Sequence, residues 1–284
     1  MKHENSTATS RPALAIKTFL SGIALTALLG LSLNVQAQTC TVDNWDEQLN
    51  LTDANTGTQG GSNRRYGGPC GLRVALDGTP RYLTDLSPVG ESSYIVRFYA
   101  FFSSVTAPTM IFAAEDIDGD DVVEVWYNGG DLILNVYDSS DTLHDFTVAG
   151  IGSGWHSIEL VWNASNEADN IRFSVNEETD TLTASVNTSG ISLHAANLGN
   201  LNSATGGSID FDDFDSRRIS RPGRLVCGDA NDDGTVTADD VSAVRGEIFG
   251  VAFAAGQPDA NEDGGVTADD VSAVREIIFG LREC

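Results

Sequence analysis

Lysine is nearly missing from this chain of 284 residues: Lys2 and Lys17 are the only two. Methionine is as scarce, with Met1 and Met110 alone. Acidic residues outnumber Lys and Arg by 41 to 16, for a formal net charge of −25. That balance excludes partners that need a positive footprint, namely DNA, RNA and anionic membrane surfaces. It suits a protein in salty water, where self-repulsion is screened. Cysteine is limited to Cys40, Cys70, Cys227 and Cys284, and no Cys-x-x-Cys pair or neighbouring histidine cluster offers a zinc site.

Residues 1–37 read as a secretory signal. Lys2, Arg11 and Lys17 give a basic leader, residues 19–33 an apolar core, and Val35-Gln36-Ala37 a small-x-small cleavage site. The apolar part is short, broken by Ser and Gly, and lacks the basic flank of a stop-transfer segment. Cys40 does not follow the Leu-Ala-Gly run of a lipid-modified cysteine. Removal takes away three cations and one anion (Glu4), which leaves the mature chain two charges more negative, with Arg and His as its only cationic side chains. The expected location is secreted or extracellular, with no membrane contact after processing. Export favours disulfides between the four remaining cysteines. Of three connectivities, the favoured one pairs Cys40 with Cys70 and Cys227 with Cys284, the second bond closing the tail like a clasp.

Residues 38–220 read as all-β. Apolar runs at 94–102, 110–114, 121–127, 131–137, 155–162, 170–175, 181–186 and 208–211 alternate with turn-rich polar segments. Asn128-Gly129-Gly130 is a hairpin-type turn. His156, Ile158, Leu160 and Trp162 share one face of their strand. Sustained helical periodicity is absent here, so a β-sandwich or jelly roll is expected. The order Gly71-Leu72-Arg73-Val74, Tyr82-Leu83, the aromatic strand at Tyr94, Gly154-Trp155-His156 running into Leu160-Val161-Trp162, and then Gly207 to Phe214 resembles the concanavalin A-like (laminin-G-like) lectin/glucanase sandwich. That resemblance implies carbohydrate or surface-ligand binding, or glycoside hydrolase or lyase activity; fold alone does not choose. Residues 221–227, which overlap a basic Pro/Gly stretch at 217–224, read as a linker that pairs with the acidic modules on either side.

The tail carries a duplication. Asp229-Ala230-Asn231-Asp232-Asp233-Gly234-Thr235-Val236-Thr237-Ala238-Asp239-Asp240 returns thirty residues later as Asp259-Ala260-Asn261-Glu262-Asp263-Gly264-Gly265-Val266-Thr267-Ala268-Asp269-Asp270, and each copy runs into Val-Ser-Ala-Val-Arg. Oxygen-bearing side chains at loop positions 1, 3, 5 and 12 with Gly at 6 follow the spacing of an EF-hand calcium loop. Two Ca2+ sites are expected. The first uses Asp229, Asn231, Asp233, the Thr235 carbonyl and Asp240; the second uses Asp259, Asn261, Asp263, the Gly265 carbonyl and Asp270. Thr237 is expected to cap its helix, with Asp240 completing a capping box. Val241, Val244 and Ile248, and likewise Val271, Val274 and Ile278, give each helix an apolar stripe.

Residues 228–284 resemble a type I dockerin, a small all-α calcium-binding module. The resemblance implies a cohesin-like partner. The identical Ala-Asp pairs at loop positions 10 and 11 would then allow two equivalent docking orientations. Thr237 and Thr267 depart from the Asn or Asp usual at position 9.

The sandwich shows no catalytic motif. Residues 115–121 read as an acidic turn or a structural calcium loop. Asp210, Asp212, Asp213 and Asp215 read as the exposed face of an edge strand, and no Ser, Cys or phosphate-loop motif accompanies the histidines. Trp126, Tyr127 and Tyr137 are candidates for a sugar-stacking platform or for the core. The chain therefore reads as mainly β, a jelly-roll sandwich ahead of an EF-hand-like tail. Its expected role is glycan recognition without catalysis, with glycoside hydrolysis and structural adhesion as the alternatives.

Overall fold

Period-two alternation builds nearly everything ahead of the tail. The computed structural model describes residues 40–57, 64–152 and 154–283. The expected signal and Cys284 lie outside them. The first strands are Glu47–Leu49 (β1), Thr56–Gly57 (β2), Gly71–Asp77 (β3), Arg81–Asp85 (β4), Ser93–Ser103 (β5), Thr109–Glu115 (β6) and Asp121–Asn128 (β7). Then come Asp131–Tyr137 (β8), Leu143–Val148 (β9), Trp155–Asn163 (β10), Ile171–Val175 (β11), Leu182–Ala184 (β12), Ala195–Asn200 (β13) and Thr205–Arg217 (β14). Two helices, Ala238–Ile248 (α1) and Ala268–Ile278 (α2), close the chain.

The strands form two seven-stranded sheets. The front sheet runs β1-β4-β13-β6-β7-β8-β9 and the back sheet β12-β11-β10-β5-β14-β3-β2. Every recorded strand pair within them is antiparallel. Inward side chains of both sheets fill one core, among them Val74, Tyr94, Val96, Phe98, Phe112, Val125, Leu134, Leu160, Trp162, Phe173 and Phe211. Phe98 joins the layers, stacking on Phe112 with ring centroids 5.7 Å apart and lying 6.3 Å from Phe211. The chain is thus a β-sandwich followed by two short helices.

β9 and β13 were not expected from the sequence. β13 reads Ala-Ala-Asn-Leu-Gly-Asn, a run of weak strand formers, yet it sits inside the front sheet between β4 and β6. A second correction concerns Asp210 and its neighbours. β14 is no edge strand; it lies between β5 and β3, and Asp210 is fully buried. Its carboxylate takes two charge-assisted bonds of 2.7 Å from Arg73, and Arg64 Nη1 lies 3.3 Å away.

The Cys40–Cys70 bond forms as expected, and Cys227 is also disulfide-bonded. In the tail, Thr237 and Thr267 each cap a helix with a full capping box. Val241, Val244, Val271 and Val274 bury against one another as the stripes required. Ile278 does not: it is 37% exposed, and Ile277, three residues past Val274, packs on this small core instead.

Because Phe98 is 1% exposed and contacts both sheets, Phe98→Ala is expected to destabilise the fold by about 3–5 kcal/mol. Equilibrium urea unfolding checks this, and a loss under about 1 kcal/mol would contradict the packing described.

Candidate functional site

The two sheets differ in what covers their outer faces. Sandwich and tail belong to one compact unit, residues 37–284, and the tail and its connector sit on the back sheet. Arg221 pairs there with Glu159 and, at 2.6 Å, with Asp180. The Leu225 amide donates to the Tyr99 hydroxyl at 2.8 Å, and Arg218 reaches Glu91 at 3.2 Å. The basic connector therefore pairs with acids on either side, as its composition implied. This cover explains why residues 94–101 are buried on both faces of β5.

The outer face of the front sheet carries a row of residues that crosses all seven strands and is polar on six of them. Successive cross-strand partners are Glu47, Thr84, Asn197, Ala113, Glu124, Asn135 and Asp145. Directly opposed residues share a face, so these side chains line up from one edge of the sheet to the other. The Thr84 hydroxyl donates to Asn197 Oδ1 at 2.6 Å, and Asn197 Nδ2 donates to Glu115. Glu124, only 6% exposed, accepts from three donors: Trp126 Nε1 at 2.6 Å, Asn135 Nδ2 at 2.7 Å and the Tyr137 hydroxyl at 3.3 Å. Trp126 faces Met110 and Ile133 across its neighbouring strands and stays half-exposed. Trp126 and Tyr137 thus stand on the outer face, whereas Tyr127 points inward and stacks on Phe102 with centroids 3.9 Å apart.

The acidic turn forms between β6 and β7, with Asp116 Oδ1 taking the Asp118 and Asp120 amides. Its flanking acids belong to the strands, and both are perturbed. Burial pushes the Asp121 carboxyl up to about 6, helped by Glu124, Glu115 and Asp120. Burial also raises Glu115, against the lowering effect of its bond from Asn197. The face therefore presents half-exposed aromatic rings, planar amides and carboxylates, the mixture of apolar platform and convergent polar groups found in small-ligand sites. Sequence reading missed the row because its members are far apart in the chain.

In the tail, both loops fold alike. The carboxylate of Asp229 takes the Asp233 and Gly234 amides, and that of Asp259 takes the Asp263 and Gly264 amides. Asp240 and Asp270, both fully buried, accept from the amides at loop positions 3 and 9. Gly234 and Gly264 have φ of 86° and 90°, the turn that position 6 requires. Asn231 and Asn261 donate to Asp233 and Asp263 at 3.0 Å.

Among the described residues no three His, Cys, Asp or Glu side chains gather closely enough to hold a metal by themselves. The carboxylates are turned toward backbone amides. The donor set nevertheless fits a hard cation: it is all oxygen, and its carboxylates at positions 1 and 12 are buried without a cationic side chain among their recorded partners. Burial and the facing Asp270 push Asp259 up to about 8.

No family model matches the chain, and no curated protein matches it in sequence. Solved structures with some likeness include the receptor-binding domain of a botulinum neurotoxin C/D mosaic serotype, at TM-score 0.42 and 10% identity over 53% of this chain and 40% of that one. Another is the botulinum neurotoxin serotype D ligand-binding domain in complex with N-acetylneuraminic acid, at TM-score 0.44 and 9% identity, covering 63% and 49%. The chain spans less than half the length of either. Likenesses this distant carry nothing about function to this chain.

Asp121 yields a pH test. Its native pKa of about 6 lies above the ordinary 3.8, so between those values the folded chain holds a proton that the unfolded chain has lost. Stability therefore falls as pH rises through that window and stays lower above it. Asp121→Asn is expected to gain about 1 kcal/mol near neutral pH, after discounting for the group's partial exposure, and nothing at about pH 3.5. Denaturant melts of both proteins at the two pH values check it.

Proposed function

We propose that the protein is an exported glycan-recognition module whose front sheet binds carbohydrate on its outer face and whose tail, read as dockerin-like, binds two Ca2+. The observation that carries the glycan reading is the polar row with Trp126 beside it. Asn135 stands beside the half-exposed Trp126 ring, which offers the stacking surface a pyranose needs, and the nearly buried Glu124 carboxylate accepts from both and holds them in place. Glu115, Asp121 and Glu124 give this face a negative charge. The preferred ligand is accordingly a neutral saccharide or one bearing an amino group, not a uronate or a sulfated glycan.

A second reading, glycoside hydrolysis, has one observation in its favour. Asp121 retains its proton toward pH 6 beside Glu124, and such pairs serve as acid and base in glycosidases. Against it, Glu124 is held by three donors and is nearly buried. Recognition without turnover accounts for that arrangement more simply.

The calcium reading is supported by two loops of matching sequence and conformation with buried carboxylates at positions 1 and 12. A cohesin-like partner remains part of the dockerin proposal and rests on sequence resemblance alone.

A glycan array followed by a reducing-sugar assay separates the readings. Binding of a neutral oligosaccharide without sugar release is expected, and Trp126→Ala should weaken it at least about tenfold. Unchanged binding in that variant rules out the front face; sugar release lost in Glu124→Gln would establish hydrolysis instead. For the tail, EDTA is expected to lower the melting temperature by about 5–10 °C relative to millimolar calcium. A melting point indifferent to chelator, together with no heat on calcium titration, would sink the calcium reading.

A further inference from the structure

The two loops share a backbone but not their surroundings. Asp232 and Glu262 occupy position 4 with φ of 61° and 60°. Asp232 is exposed. Glu262 is held by the sandwich: its main-chain oxygen accepts the Trp155 amide at 3.2 Å, and its Oε1 accepts the Tyr66 hydroxyl at 2.6 Å and Arg224 Nη2 at 3.3 Å. At position 6, the Gly264 carbonyl accepts from Arg64 Nε at 3.2 Å. A Cβ on Gly264 would fall 2.6 Å from that nitrogen and 2.7 Å from Phe101 Cε2, whereas one on Gly234 would meet nothing within 4 Å. Tyr66, Tyr99, Phe101 and Trp155 form a buried aromatic cluster beneath this contact.

The loops also differ in sequence in the way these surroundings ask. Glu262 stands where the first copy has Asp232, and the extra methylene lets its carboxylate reach Tyr66 and Arg224. Gly265 stands where the first copy has Thr235, whose hydroxyl donates to Asp233 at 2.7 Å. The first loop therefore has an internal brace, and the second has an external one.

We propose that the second loop is the cation site that fastens the tail to the back sheet, and that the first loop binds its cation independently of the sandwich. This rests on the calcium reading above. A cation that fixes the second loop also fixes the Glu262 and Gly264 groups the sandwich grips. Linkage makes the effect reciprocal, so docking raises the affinity of the second loop by the same factor by which its cation strengthens docking. Further ties between tail and sandwich among the described residues include Arg65 to Glu247 and the Gly68 amide to the Gly256 carbonyl, both outside the two loops. Emptying the second loop should loosen the aromatic cluster without releasing the tail.

The test uses the full mature chain with calcium alone as the probe. Hydrogen exchange at the Trp155 amide reports the Glu262 contact directly, and calorimetry reports the two affinities. Calcium is expected to raise Trp155 protection about tenfold or more in the wild type and in Asp233→Asn, but not in Asp263→Asn. Tyr66→Phe, which leaves both loops intact, should weaken one of the two sites about tenfold and leave the other within about twofold. Equal loss of protection in both Asn variants, no loss in either, or a Tyr66→Phe effect on both sites or on neither overturns the proposal. Absence of any calcium heat in the wild type is a different result: it removes the calcium reading, and this inference falls with it.

Discussion

Scarce positive charge, concentrated on one surface, organises this molecule. Lys2 and Lys17 are the only lysines, and six of the fourteen arginines, Arg64, Arg65, Arg73, Arg97, Arg221 and Arg224, meet acids at the outer face of the back sheet. Arg73 and Arg64 neutralise Asp210 inside β14, Arg221 ties the connector to Glu159 and Asp180, and Arg224 meets Glu262. Arg65 and Glu247 are both nearly buried, 0% and 5% exposed as side chains. A buried pair of that kind adds little net stability, but removing one partner strands the other's charge in a poor solvent. Truncating either partner is therefore expected to cost more stability than the intact pair contributes.

A covered back sheet has a direct effect on the front one. Tail and connector lie on the back sheet, and the front sheet keeps a largely polar outer face. Its inward residues in the core include Leu83, Phe112, Val125, Leu134 and Leu198, and the row of Thr84, Asn197, Glu124 and Asn135 lies on the opposite face. These residues satisfy one another through hydrogen bonds, which holds their side chains in place before any ligand arrives. That preorganisation lowers the entropy a ligand must supply on binding. The proposed carbohydrate face thus follows from the packing of the opposite side.

Features set by neighbours in sequence were legible beforehand. The strand alternation at 131–137 and 155–162, the Asn-Gly-Gly turn and the Thr caps all depend on a few adjacent residues, and the Cys40–Cys70 bond was readable from the small number of cysteines. What stayed hidden depended on register. The front row joins residues from β1 through β13, and no local pattern shows that Glu124 will stand beside Asn135 and two strands from Asn197. Asp210 looked solvated because the arginines that bury it lie 137 and 146 residues away. β13 was hidden for the opposite reason, since small residues with weak strand preference form a strand only when two neighbours impose it. Ile278 shows the limit of a stripe read by eye: a helix of this length turns far enough that Ile277 meets the core first.

The contact between Glu262 and the sandwich also bears on how the duplicated halves can change over generations. Twin segments that began alike now answer to different neighbours. A substitution at the exposed Asp232 reaches the sandwich only through its charge, felt at Asp213, whereas the equivalent change at Glu262 disturbs Tyr66, Arg224 and the start of β10 at once. Mutational tolerance is therefore lopsided, and the outer copy is the one with freedom to drift toward new roles while its twin stays pinned.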